Sequence, residues 1–265
     1  MRTRGITMRN SLPSRFRGAA TVITMLLLAS GARLAAQTTD TVPQMRPHGM
    51  GWGRETFVLA EVLDYSPAVA DRSVDYDLVA WSGGAVNRLW LKVDGGVATR
   101  GRATHGEYQL LYGRLVTPWW DAQFGARVDQ KSSGGGSASR VGGVVGLQGL
   151  APGWFELEPS LFVTSGGNVS FDLTASYDLF LTQRIVLQPR LESTLALRDE
   201  SDFGVGRGLS STSFGLRTRF EFRREFAPYV GVVWDRTYGR TAEFANLSGE
   251  STSEARVVAG LRLWR

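Results

Sequence analysis

The chain has 265 residues and no cysteine, which excludes a disulfide scaffold, a thiolate metal centre and a cysteine nucleophile. Its two histidines, His48 and His105, are too few for a site built mainly from imidazoles. The formal net charge of +5 comes from six arginines before residue 37, and the remainder has 24 basic against 25 acidic residues, so no net positive field favours nucleic acid as a partner.

Residues 1–36 have the pattern of a cleaved secretory signal peptide. Residues 1–18 carry arginines and no acid, residues 19–30 (AATVITMLLLAS) form a short apolar run, and Leu34-Ala35-Ala36 offers small residues for cleavage. The alternative, a membrane-anchoring helix, needs about 20 apolar residues, more than this run provides. We therefore predict export of a chain that begins with a polar linker, residues 37–53.

The linker contains a cluster of soft metal ligands. Met45, His48 and Met50 place two thioethers and an imidazole within six residues, and the two methionines are the only ones after residue 36. Thioethers favour Cu(I), and imidazole binds copper in either oxidation state. The pattern predicts a copper site, with a linker that merely contains two methionines as the alternative.

From residue 54 onward, polar and apolar residues alternate with the period of β-strands. In the clearest segment, 168–181, polar side chains such as Asp172 and Thr174 interleave with apolar ones such as Phe171 and Leu173. We predict twelve strands, at 54–65, 74–82, 87–95, 106–116, 121–129, 139–149, 154–164, 168–181, 184–198, 211–223, 226–237 and 253–264.

An even number of strands and the lengths of their connectors predict a closed, all-β transmembrane antiparallel barrel of the outer-membrane type. Tight connectors near residues 84, 118, 152, 182 and 227 alternate with mostly longer ones. The predicted longer connectors are 66–73, 96–105, 130–138, 165–167, 199–210 and 238–252. Such short turns on one rim and long loops on the other are typical of barrels in the outer membrane.

The polar strand faces carry full charges of both signs, which suits a wet or salt-bridged lumen better than the core of a soluble sandwich. The apolar faces would then contact lipid. Aromatic residues near the strand ends predict interfacial girdles: Trp81, Trp90, Trp119, Trp120, Trp154, Tyr177, Phe180, Tyr229, Trp234 and Trp264. The alternative is a soluble sandwich or a lipocalin-like barrel.

Several carboxylates on the polar faces are candidates for holding a cation in the lumen. The main ones are Asp75, Asp77, Glu107, Asp121, Glu156 and Glu158, and Asp94, Asp172 and Asp178 share the pattern. The alternative, which we favour, is a plug in which these acids pair with Arg127, Arg190, Arg217, Arg219 and Arg223. Carboxylates alone give little preference for copper, because hard oxygen ligands prefer hard cations.

His105 falls in the predicted loop 96–105 and raises a hydrolase as a further alternative. Such an enzyme would pair the imidazole with a serine or aspartate at the barrel rim. The nearby Thr104, Ser132 and Ser133 have no such signature, and the glycine-rich segments 83–87 and 132–137 are typical of turns. We therefore expect no catalytic activity.

Long stretches of the strands resemble the CopB family of copper-resistance outer-membrane proteins. The resemblance covers about residues 54–265. The matching stretches are LWLK (89–92), EYQLLYGR (107–114), PWWDAQFGAR (118–127), GLQGLAPGWFELE (146–158), YDLFLTQRIVLQPRLE (177–192), GLSSTSFGLRTRFEFRREFAPYVGVVWDRTYG (208–239) and VVAGLRLW (257–264).

The resemblance implies an outer-membrane barrel that binds copper and contributes to its sequestration or export, with a periplasmic multicopper oxidase as partner. Members of this family commonly carry a Met- and His-rich segment before the barrel. Here that segment is reduced to Met45, His48 and Met50. The alternative function is a general porin-like or structural barrel without a metal role.

Overall fold

The structure is a computed structural model, and it describes residues 53–67, 73–98, 103–133 and 136–265. The predicted signal peptide and the candidate copper ligands of the linker lie outside the described residues. The strands are β1 Glu55–Ser66, β2 Ser73–Gly83, β3 Asn87–Ala98, β4 Ala103–Thr117, β5 Trp120–Ser133, β6 Gly136–Ala151, β7 Phe155–Thr164, β8 Val169–Ser176, β9 Leu179–Phe180, β10 Ile185–Ala196, β11 Gly208–Phe220, β12 Phe226–Thr237 and β13 Ser253–Trp264.

The strands form one closed antiparallel barrel. Each strand from β1 to β7 pairs with the next, β8 pairs with β10, and β10 to β13 continue in sequence. The pairing of β13 with β1, with Leu59 opposite Trp264, closes the ring. Because the two-residue β9 continues the line of β8 beside β10, the ring has twelve positions, and the predicted twelve-stranded barrel is confirmed.

The predicted strand 168–181 is interrupted between β8 and β9. Ser176 lies opposite Arg190 and Phe180 opposite Val186, so the register is the same on both sides of the interruption. Pro189 occupies the partner position at the break, and proline has no N–H to donate to the ladder.

Two predicted loops are largely strand. The segments 96–105 and 130–138 were expected to connect strands, but β3 continues to Ala98, β4 starts at Ala103, β5 continues to Ser133 and β6 starts at Gly136. Glycine-rich and polar composition led to the loop prediction, whereas pairing with neighbouring strands extends the sheet through these residues.

The predicted loop 238–252 contains a helix that the sequence pattern did not indicate. This helix, α1, spans Gly239–Leu247, and a 3-10 turn spans Ser201–Phe203 in the preceding loop. Of the residues in α1, only Thr241 and Ala245 are buried, so it lacks a wide apolar stripe. Within the described residues, no helix is long and apolar enough to cross a bilayer.

The barrel has two different rims. At one, which we call the turn end, the connections after β2, β4, β6 and β11 are short, and the chain finishes there after Trp264. At the other, which we call the loop end, lie the connection 197–207 and the segment 238–252 with α1. The long connections thus lie on the rim predicted to carry loops, although the predicted loops 96–105 and 130–138 on that rim are largely strand.

Every second side chain of a strand points outward, and most of these outward side chains are apolar. Leu110, Phe124, Val145 and Val230 are each more than half exposed, as lipid-facing side chains of a membrane barrel are. Aromatic pairs gather at the turn end: Trp119 with Trp154 at 6.0 Å between ring centroids, Phe155 with Tyr177 at 4.9 Å, and Phe220 with Phe222 at 4.7 Å.

Three aromatic residues predicted for the girdles face the lumen instead. Trp90 and Tyr229 are buried, and Trp81 packs against Trp90 with the ring centroids 6.1 Å apart. Each of them is an even number of positions from an inward charged residue of the same strand, so its side chain also points into the barrel.

Candidate functional site

Two cavities in the lumen meet at a cluster of charged side chains. The larger one, which we call the turn-side cavity, has a volume of about 530 Å³, and the smaller loop-side cavity about 270 Å³. Asp77, Asp94, Arg190 and Glu192 line both cavities. Any path through the barrel along these cavities therefore passes this cluster.

Acidic side chains outnumber basic ones in both linings. Eight carboxylates and four cationic side chains line the turn-side cavity, and six carboxylates and three arginines line the loop-side cavity. The turn-side acids are Glu61, Asp77, Asp94, Glu107, Glu156, Glu158, Asp172 and Glu192, and the loop-side acids are Asp64, Asp75, Asp77, Asp94, Glu192 and Asp235. The excess of negative charge favours cations in the lumen.

Arg190 is the central cation between the cavities. Its guanidinium lies 2.6 Å from Asp77, 2.6 Å from Glu192 and 3.4 Å from Glu61. Arg190 itself is only 8% exposed, so its charge depends on these three carboxylates for compensation. The side chain thus ties β10 to β2 and β1 across the lumen.

Four inward carboxylates form a row across neighbouring strands. Asp77 lies opposite Asp94, Asp94 opposite Glu107, and Glu107 opposite Asp129. Like charges in adjacent strand positions repel, so the row needs cations around it. Arg190 compensates Asp77, whereas Asp94 has no ion-pair partner in the described part of the chain and is exposed to the cavities.

Arg127 compensates the other half of this row. Its three nitrogens pair with Glu107 at 2.6 Å, Asp129 at 2.7 Å and Asp172 at 2.8 Å. The guanidinium also lies over the ring of Phe162, 4.4 Å from its centroid. Because Asp172 is on β8 and Glu107 on β4, this one side chain joins opposite parts of the barrel wall.

Arg140 forms ion pairs at the loop end of the barrel. Arg140 on β6 pairs with Asp129 at 2.6 Å and with Glu200 of the loop 197–207 at 2.5 Å. Lys131 on β5 donates to the carbonyl of Phe203 in the same loop, and Thr241 of α1 accepts a hydrogen bond from the backbone N–H of Gly206. The loop is therefore held against both the barrel wall and α1.

An apolar cluster packs beside these charged groups in the lumen. Trp90, Leu111, Val144 and Phe162 project inward from β3, β4, β6 and β7 and are at most 6% exposed. Lys92 lies over the Trp90 ring, 5.8 Å from its centroid. The lumen is thus partly packed, and the two cavities occupy the space that this cluster leaves.

The predicted lumen acids all belong to the inward set, and most of them are ion-paired. Asp75 pairs with Arg256 at 3.3 Å, Asp77 with Arg190, Glu107 with Arg127, Asp121 with Arg88 at 3.0 Å, and Glu158 with Lys92. Glu156 accepts a hydrogen bond of 3.4 Å from Ser176. Asp121 is 8% exposed and lies outside both cavities.

No three histidine or acidic side chains of the described residues come close enough together to enclose a metal ion. The lumen acids and the candidate ligands Met45, His48 and Met50 stay predictions, since the latter lie outside the described residues.

His105 does not lie in a loop as predicted. It belongs to β4, opposite Gly96 of β3, and lines the loop-side cavity. Among the described residues, no hydrogen bond joins His105 to a serine hydroxyl, and the acidic group beside it is Asp75 of β2. Strand pairing extends beyond the glycines that had suggested a loop.

Glu61 and Asp64 are inward residues that the sequence did not identify. The two are three positions apart, so in a regular strand they would face opposite sides. A register shift between Ala60 and Val62 in the pairing of β1 with β2 places both toward the lumen. No simple alternation pattern reveals such a bulge.

The comparisons with known proteins concern the barrel. The sequence matches the family described as copper resistance protein B precursor (CopB) over residues 54–265. A copper resistance protein B of Escherichia coli is 39% identical over 207 residues, covering 78% of this chain and 68% of that protein. A copper resistance protein B homolog of Pseudomonas syringae pv. tomato is 38% identical over 209 residues, covering 79% and 69%.

Two solved structures match most of this chain, both with a TM-score below 0.5. The NanC porin has 11% sequence identity and a TM-score of 0.49, with 79% of this chain and 99% of that chain covered. BamA from Haemophilus ducreyi lacking POTRA domains 1–3 has 9% identity and a TM-score of 0.37, with 92% and 71% covered.

Proposed function

This chain belongs to the copper resistance protein B family, and we propose that it is an outer-membrane protein that binds copper and contributes to its sequestration or export. Its closed barrel presents apolar side chains outward, which supports a location in lipid. The copper resistance family and the barrel fold support a non-enzymatic role.

The observation that carries the proposal is the excess of carboxylates in both cavities. A copper ion is a cation, and a lumen with net negative charge raises its local concentration relative to bulk solution. The arginines that pair with many of these acids keep the barrel packed, while Asp94 stays free among the described residues to meet a cation. Transient contacts of this kind suit passage better than storage.

The linker supplies the softer ligands in this proposal. Met45, His48 and Met50 form a copper site before the barrel, with thioethers suited to Cu(I). The partner, by family resemblance, is a periplasmic multicopper oxidase. Co-purification of an oxidase with the native chain, and its loss with the Met45/His48/Met50→Ala triple variant, would support this partner.

The test of the proposed function is growth of a deletion strain in excess copper. The strain is complemented with the native chain or with the Met45/His48/Met50→Ala triple variant, and insertion of both is checked by heat-modifiable gel mobility. We expect the native chain to restore growth and the triple variant to restore it less. If the native chain inserts into the membrane but does not restore growth, a porin-like barrel without a metal role becomes the better description.

The linker site has its own binding test. We expect Met45→Ala combined with Met50→Ala to weaken Cu(I) binding, because the two thioethers are the soft ligands of the segment. A competition titration against a Cu(I) chelator measures the affinity. An affinity equal to that of the native chain would remove the linker from the proposal.

A further inference from the structure

We propose that Asp75, Gly96 and His105 form a transit site for a copper ion at the loop end of the lumen. The inference rests on the proposed function, because it names where the barrel itself would hold the ion. The three residues form one row across three strands: Asp75 of β2 lies opposite Gly96 of β3, and Gly96 lies opposite His105 of β4.

The middle residue of this row has no side chain, and the two outer side chains lean over it. A Cβ on Gly96 would lie 2.4 Å from Oδ1 of Asp75, 2.6 Å from Cε1 of His105 and 3.2 Å from Nδ1 of His105. A carboxylate oxygen and an imidazole nitrogen are thus both within 3.2 Å of one point. The missing side chain of Gly96 leaves that point open between the two groups, which do not pair with each other directly.

The two oxygens of Asp75 have different surroundings. Oδ2 is 3.3 Å from a nitrogen of Arg256 and 3.4 Å from the Ser73 hydroxyl, which donates to it. Oδ1 faces the space over Gly96 and accepts no hydrogen bond from the described residues. Within the same part of the chain, His105 has no hydrogen-bond partner either, so both groups keep lone pairs for a ligand.

One imidazole and one carboxylate select for copper better than carboxylates alone. Imidazole suits Cu(II) and Cu(I), whereas calcium and magnesium gain little from it. His105 is the single histidine in the described part of the chain, and His48 lies outside it. With two protein ligands and water in the remaining positions, the ion would exchange readily, as a transit site requires.

The charged groups around Asp75 and His105 favour weak binding of a cation. The loop-side cavity that His105 and Asp75 line has twice as many carboxylates as arginines. Arg256 also pairs with Asp235, at 3.4 Å, so it is shared between two acids and leaves Asp75 incompletely compensated. Lys131, opposite His105 on β5, has its ammonium group directed to the Phe203 carbonyl.

The experiment titrates Cu(II) into the full chain in detergent micelles and records electron paramagnetic resonance spectra. The background is the Met45/His48/Met50→Ala triple variant, so that the linker does not contribute. We expect one weak Cu(II) site with the signature of a single imidazole nitrogen. Absence of that nitrogen signature from the correctly folded background protein would overturn the inference without any further substitution.

Substitutions then separate the row from the general charge of the lumen. We expect His105→Asn and Asp75→Asn each to weaken Cu(II) binding by about tenfold or more, a loss that even an outer-shell partner of a metal ligand causes. Gly96→Ala keeps both ligands but fills the space between them, so it should weaken binding as well. Heat-modifiable gel mobility confirms that each variant is folded.

The matched control is Asp235→Asn. Asp235 lines the same cavity and shares the counter-ion Arg256 with Asp75, but it lies outside the row. We expect Asp235→Asn to weaken Cu(II) binding much less than Asp75→Asn does, because it removes no ligand and only lets Arg256 pair more closely with Asp75. If it weakens binding as much as Asp75→Asn does, the general negative charge of the cavity holds the ion, and the proposed site at Asp75 and His105 is wrong.

The outcome also distinguishes this inference from the proposed function. If the native chain restores growth in copper but the imidazole signature is missing, the transit site fails and the function stands. If the signature is present and growth is not restored, the site stands and the function fails.

Discussion

The buried pair of Arg217 and Asp64 offers the clearest test of how the lumen stabilises the barrel. Asp64 is 1% exposed, and its carboxylate is 2.7 Å from a nitrogen of Arg217 and accepts a 2.6 Å hydrogen bond from the Tyr229 hydroxyl. That hydroxyl in turn accepts a 3.0 Å hydrogen bond from the backbone N–H of Leu63. The contacts join β1, β11 and β12 near the point where the ring closes.

Replacing Arg217 by methionine keeps much of the side-chain volume but leaves the Asp64 carboxylate buried without a cation. Removing one partner of a buried ion pair costs about 3–5 kcal/mol. Tyr229→Phe removes only the hydrogen bonds of one hydroxyl, so we expect the smaller loss of about 1.5–3 kcal/mol that accompanies a hydrogen bond to a charged group. Adding Asp64→Asn to Arg217→Met removes the uncompensated charge and should recover part of the lost stability.

The measurement is the free energy of unfolding from urea titrations in lipid vesicles, followed by the fluorescence of the eight tryptophans. Arg240→Met is the matched control, because the Arg240 side chain is 56% exposed and its pair with Asp199 should contribute at most about 1 kcal/mol. The reasoning is refuted if Arg217→Met costs no more than Arg240→Met, or if the double variant is less stable than Arg217→Met alone.

Three further predictions concern other parts of the lumen. Leu111→Ala should lower the free energy of unfolding by about 2–5 kcal/mol, because Leu111 is 1% exposed in the apolar cluster; urea titration checks this. Arg190→Met should increase the cation preference of the barrel, since it frees three carboxylates of the lumen; reversal potentials in planar bilayers measure it. Arg140→Gln should make the loop 197–207 easier to cleave, because Glu200 loses its partner; limited proteolysis of inserted protein shows the rate.

The strands of this barrel and their faces could be predicted from the sequence because alternation is a local signal. Most inward acids stand between outward-facing apolar residues along the strand, and this period of two marks the faces without knowledge of the partner strand. The six candidate acids of the lumen followed from the same alternation. Strand ends were less accurate, since β3 continues through Gly96-Val97-Ala98 and β4 begins at Ala103, where small residues blur the alternation.

The ion pairs could not be predicted, because they join residues that are distant in the sequence. Arg190 and Asp77 are 113 positions apart, and Arg217 and Asp64 are 153 apart. Which acid meets which arginine depends on the register of every intervening strand and on the closure of the ring. The bulge in β1 adds to this, since it brings Glu61 and Asp64 to the same side against the strict alternation.

The same dependence on register explains why the row at His105 was missed. Asp75, Gly96 and His105 are about ten to twenty residues apart, and each belongs to a different strand with an ordinary pattern. Only the register places the glycine between the two ligands.

A packed, ion-paired lumen is compatible with passage of a cation if the ion displaces only one contact of an arginine at each step. Arg190 contacts three carboxylates and Arg127 three more, so an ion that binds to one of these acids competes with a single contact of the guanidinium rather than with all of it. The remaining contacts keep the arginine in place and the barrel packed. Asp94, which lines both cavities, then gives the ion a carboxylate that no described cation occupies, at the point where the two cavities meet.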